Sequence, residues 1–72
     1  MKIYISFGQD HAHSVAGHTL DKNSIAVIQC KDHIDGRAID FELFGDKFGT
    51  SYTEEEINKA MHHFPRGQIL AN

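Results

Sequence analysis

The run Ile25, Ala26, Val27, Ile28, Gln29, Cys30 is apolar to both sides when drawn extended, with Ile25 and Val27 opposed to Ala26, Ile28 and Cys30. Successive side chains of a strand point to opposite faces, so a run that is apolar on both reads as an interior strand, central to its sheet. The remaining elements have to be arranged around it.

Residues 2–7 alternate, Ile3, Ile5 and Phe7 against Lys2, Tyr4 and Ser6, which is the period of a half-buried first strand. Gly8 ends that run. A polar stretch over 9–14 then leads through Val15 to a hairpin turn about Ala16 and Gly17, returning through His18, Thr19 and Leu20. Beyond the interior strand, Asp32 with Asp35 three residues on predicts a helix N-cap. Ile34, Ala38, Phe41, Phe44 and Phe48 recur at helical steps, so this stripe is expected to face the sheet, with Gly45 closing the helix. A short strand through Thr50 and Tyr52 follows.

Thr53 and Glu56 spell a capping box, and Glu54 and Glu55 add negative charge where a helix N-terminus favours it. Ile57, Ala60, Met61 and Phe64 give this second helix one apolar face, and Pro65 stops it. Residues 68–70 predict a small edge strand. The expected fold is one α+β domain over residues 1–72, a small antiparallel or mixed sheet of four to five strands with two helices packed on one face.

Seven Lys and Arg against ten Asp and Glu leave a formal charge of −3, which argues against general nucleic-acid binding by phosphate neutralisation. No span is long and apolar enough for a membrane, and the lone Cys30 provides no internal disulfide, so a cytoplasmic setting is expected. At 72 residues one unstapled core supplies roughly 3–5 kcal/mol net, and self-association into a homo-oligomer is expected to help.

Histidine is the compositional oddity: six are present, and His11, His13 and His18 cluster beside Asp10. Three imidazoles could complete a zinc site, but no HExxH or paired CxxC accompanies them, so no metal or cofactor is assigned. The same loop suits a ligand lip. There His11, His13, His18 and the backbone from Gly8 to Asp10 would donate hydrogen bonds, and Tyr4, Tyr52 or Phe64 would stack on a planar base. Arg37 and Arg66 are the candidate phosphate forks, Arg66 foremost because it follows Pro65 in a bend.

Cys30 falls in the interior strand, where a thiol is unreactive, and neither Ser14 nor Ser51 stands in a GxSxG elbow. No GxGxxG or P-loop is present. No catalytic residue is assigned, and the chain is not read as an enzyme.

The strings MKIYISFG at 1–8, FELFGDKF at 41–48 and FPRG at 64–67 together resemble small bacteriophage accessory proteins. That resemblance implies a context of countering bacterial defence inside the infected host cell, by sequestering a nucleotide immune signal or by masking a defence protein. The leading expectation is a sponge for a nucleotide-derived signal, of the ADP-ribose type, held in pockets of a homo-oligomer. The alternative is an inhibitor of a defence nuclease such as a CRISPR effector, acting through an acidic face from Asp40 to Glu56. A third class, a small metal-dependent hydrolase, requires His11, His13 and His18 to converge.

Overall fold

The computed structural model describes residues 1–15 and 17–72. Its elements are β1 (Lys2–Ile5), β2 (His13–Val15), β3 (His18–Leu20), β4 (Ser24–Gln29), α1 (His33–Phe44), β5 (Ser51–Tyr52), α2 (Glu54–Ala60), a 3-10 turn (Met61–His63) and β6 (Gly67–Leu70). The main sheet has the order β5-β1-β4-β6, and β2 and β3 form a separate ribbon. β4 runs antiparallel to β1 and parallel to β6, so the sheet is mixed and β4 is interior, as its two-sided apolarity requires. The fold is α+β. The expected hairpin is present in its two arms, and Ala16, at its turn, lies outside the described residues.

Register assigns the faces. Ile3 and Ile5 stand opposite Ile28 and Ala26, and with Phe7, Leu20 and Phe44 they form one buried cluster beneath α1. Tyr4 stands opposite Val27, and with Ile25 and Ile57 it forms a second cluster beneath α2. The helices therefore cover opposite faces of the sheet, which corrects the expectation that both pack on one. The reason lies in β1 and β4 themselves: Tyr4, Ile25 and Val27 are almost wholly buried and need a cover of their own. For the same reason β1 is not half-buried, since Tyr4 and Ser6 are shielded as well as Ile3 and Ile5.

α1 begins as expected, Asp32 accepting from the Asp35 amide at 2.8 Å, and it ends at Gly45, whose φ of 62° costs glycine little. Its inward face keeps Phe44 of the expected stripe, and Phe48 beyond the helix also packs on the core, but the earlier turns differ. Gly36, Asp40 and Phe44 are buried, whereas Ile34 is 82% exposed and Phe41 47%. Gly36 explains the rotation, because a Cβ there would lie 2.8 Å from Ile3 Cδ1 and 3.0 Å from Cys30 Sγ. The backbone of α1 approaches the sheet at that residue, and the side chains half a turn away are carried outward.

α2 is stapled at its start. Thr53 Oγ1 accepts from the Glu56 amide at 3.2 Å, and Glu56 Oε1 accepts from the Thr53 amide at 3.0 Å. These bonds hold the Glu56 carboxyl below its ordinary value. Replacing Thr53 by alanine is expected to cost about 1 kcal/mol, read as a lower urea midpoint with unchanged slope. An unchanged midpoint would show that α2 is held by packing alone. No described helix is long and apolar enough to cross a membrane.

Candidate binding cleft

One end of the sheet carries a cleft of about 590 Å³ lined by Ser6, Gly8, Gln9, Lys22, Asn23, Gly49, Thr50, Tyr52, His63 and Phe64. Three chain segments build it by leaving the sheet together. After β1, Gly8 turns the backbone away at φ 65°. Before β5, residues 49–50 are clasped to Ser6: its amide donates to the Thr50 carbonyl (2.9 Å), its Oγ accepts from the Thr50 amide (3.0 Å), and its carbonyl accepts from the Gly49 amide (2.7 Å). That approach is close at Gly49, where a Cβ would lie 3.1 Å from the Gly8 nitrogen and the neighbouring backbone would have to give by a few tenths of an ångström.

Before β4, Asp21 Oδ1 accepts from the Asn23 amide (2.9 Å) and Ser24 Oγ from the Asp21 amide (2.8 Å), a closed turn that presents Lys22 and Asn23. The Arg66 amide donates to the Asn23 carbonyl (2.8 Å), tying this turn to the start of β6. Tyr52 and Phe64 pack against the cluster beneath α2 and also reach the cleft wall. The result is two aromatic rings rooted in the core beside an exposed ammonium, an imidazole and two side-chain amides. Lys22 has no ion-pair partner among the described residues.

Of the nine residues expected to touch a ligand, Gly8, Tyr52 and Phe64 line the cleft. The other six do not. Tyr4 is 3% exposed, sealed under α2; burial, and then the Glu54 carboxylate, push its hydroxyl above the ordinary value. Arg37 stands 6.0 Å over the Phe41 ring on the outside of α1, on the far side of the sheet from Phe64. Arg66 stands outside the lining: its amide holds the Asn23 carbonyl, and its guanidinium turns to Asp21 at 3.7 Å.

The histidines disperse. His13 closes the core beneath α1, with its ring 5.4 Å from Phe7 and 4.9 Å from Phe44, and its Nε2 donates to the Lys47 carbonyl (2.7 Å). His18 is exposed on β3 opposite Val15, and His11 precedes β2; neither lines the cleft. Among the described residues no three His, Cys, Asp or Glu side chains gather as metal ligands would. Cys30 lies just past β4 and is half-buried, not enclosed as an interior position would make it.

Lys22, Asn23, Ser6, Gly49, Thr50 and His63 are the lining residues that sequence reasoning missed, whereas Gln9 lies within the Gly8 to Asp10 backbone expected at the lip. Lys22 had a legible signal, a cation inside the polar cluster 21–24 between two apolar runs, where a turn must expose it. His63 had none, because its place depends on where the 3-10 turn after α2 carries it relative to Tyr52 and Phe64. No protein-family model, curated protein or solved structure matches the chain.

Proposed function

We propose that the chain is a binding protein whose cleft holds a small planar anion of the nucleotide class without transforming it. The observation that supports this most is the convergence of Lys22 and His63 with Tyr52 and Phe64 on one cleft of about 590 Å³. A base or nicotinamide-like ring gains from stacking on an aromatic face, and a phosphate gains from an ammonium and from side-chain amides. The volume suits a small molecule. With the phage resemblance, this reads as an anti-defence sponge for a signal of the ADP-ribose type, working in the cytoplasm of the infected cell.

The masking of a defence nuclease is the weaker reading. Its acidic face was to run from Asp40 to Glu56, but Asp40 is buried. Glu42 and the triplet Glu54 to Glu56 also belong to helices on opposite faces of the sheet.

Calorimetric titration with ADP-ribose, AMP and inorganic phosphate tests the proposal. Saturable heat is expected with ADP-ribose, and Lys22→Glu is expected to weaken it about tenfold or more, since a charge-assisted contact becomes a repulsion. Arg66→Ala, which removes a guanidinium facing Asp21, is expected to change affinity little. The absence of binding to all three probes at millimolar concentration, or indifference to Lys22→Glu, overturns the assignment.

A further inference from the structure

β6 is an outer strand of the main sheet, paired among the described residues with β4 alone. The Ala71 amide donates to the Val27 carbonyl at 2.9 Å, and in the parallel register Ile69 faces Ala26. Because backbone groups alternate along a strand, Ile69 and Ala71 spend theirs on β4, while Gln68 and Leu70 turn an N–H and a C=O each to the open edge. Their side chains are exposed, Leu70 by 55%.

Sheet edges in monomeric proteins are ordinarily blunted by charge, proline or brevity. The opposite edge follows that rule, β5 having two residues before the Thr53 cap. β6 does not: Gly67, Gln68, Ile69 and Leu70 bring neither charge nor proline.

We infer that β6 pairs antiparallel with β6 of a second copy, about a two-fold axis through Ile69. The outward residues make the edge self-complementary. Gln68 lies opposite Leu70 of the other copy and Leu70 opposite its Gln68, so each pair exchanges two backbone hydrogen bonds. Ile69 meets its own equivalent in the closer, non-hydrogen-bonded position, on the face that α1 covers. The exposed Leu70 side chains approach diagonally on the other face, and no like charges oppose one another at these positions. The two sheets become one of eight strands, α1 of both copies on one side and α2 of both on the other.

The axis reverses strand direction, so the two binding clefts end up at opposite ends of the joined sheet, each complete within one copy. The association is thus independent of what the clefts hold. One short strand pair lies at the small end of specific interfaces, which sets the expected affinity in the micromolar range.

Sedimentation velocity across roughly 1 µM to 1 mM tests this. A monomer–dimer equilibrium is expected. Leu70→Lys, whose side chain is exposed and whose ladder to β4 is untouched, is expected to move its midpoint at least about tenfold upward while far-UV circular dichroism stays unchanged. Ile34→Lys, on the outer face of α1, is expected to leave it in place. In a Cys30→Ser background, Ile69→Cys is expected to yield a covalent dimer on mild oxidation, since its equivalent stands directly opposite. A monomer at all concentrations, a dimer lost with Ile34→Lys but not with Leu70→Lys, or no cross-link through Ile69→Cys overturns the inference. Should Leu70→Lys disturb folding, the cross-link alone decides.

Discussion

Replacing Asp40 by asparagine is expected to make the folded chain more stable by about 1–2 kcal/mol at pH 8, and by little at pH 4. Asp40 sits on the inward face of α1, 2% exposed, and its Oδ1 finds no hydrogen-bond partner among the described residues. Burial raises its carboxyl from the ordinary 3.8 to about 6, with Arg37 nearby offsetting part of the rise. A raised acid is one that the native state prefers protonated. Well below its ordinary 3.8 the carboxyl is neutral in both folded and unfolded chains, and it costs nothing. As pH climbs from there to about 6, the unfolded chain ionises first and stability falls. Above that the loss is complete, about 3 kcal/mol for a rise of this size. Asparagine has nearly the same shape and no charge, so it removes most of this cost while leaving an amide to be satisfied. Urea unfolding of both proteins at pH 4 and pH 8 measures it. Equal midpoints at pH 8 would show that the carboxyl reaches water or a cation in solution.

Phe7→Ala is expected to cost about 3–5 kcal/mol, which in a 72-residue domain with one unstapled core is enough to leave it largely unfolded at room temperature. The ring is fully buried where three elements meet. It packs edge-on against Phe44 at the end of α1, with centroids 5.1 Å apart, and tilts against His13 of the β2–β3 ribbon at 5.4 Å. Its removal leaves a cavity that rigid neighbours cannot fill, and the ribbon loses its anchor to the sheet. Near-UV circular dichroism and proton chemical-shift dispersion report the outcome. Phe7→Leu, which keeps most of the volume, is expected to stay folded at a cost of roughly 1–1.5 kcal/mol. Ile34→Ala, on a side chain 82% exposed, is expected within about 0.5 kcal/mol of the parent. A folded Phe7→Ala protein with a small loss would place the core elsewhere.

Much of the architecture was legible locally. The interior position of β4, the caps at Asp32 and Thr53, the stop at Gly45 and the edge strand after Pro65 each follow from a few adjacent residues. α1 was misread because it offers two stripes. Ile34, Ala38 and Phe41 lead one, and Gly36, Ile39 and Asp40 lead the other; Phe44 serves both, and glycine and aspartate disguise the inward face. Hydrophobic periodicity selects the first, yet close approach of backbone to sheet selects the second.

The candidate cleft was legible only in part. Gly8, Tyr52 and Phe64 are legible as punctuation and as aromatics near segment ends, whereas the chemistry of Arg37 and Arg66 and the closeness in sequence of the histidines say nothing of where the fold carries them. His13 instead fills a gap between Phe7 and Phe44, a role set by tertiary shape.

The chain by itself determined where each helix starts, where α1 stops and which strand lies inside, because capping bonds and side-chain alternation act over a few residues; α2 stops at Ala60, short of Pro65, in a 3-10 turn the sequence did not announce. Tertiary structure alone decided which face each helix covers, which side of α1 turns inward and which side chains meet around the cleft. Those choices depend on contacts between residues more than 40 positions apart, such as Ser6 with Thr50, and the free energy that settles them belongs to the packed whole.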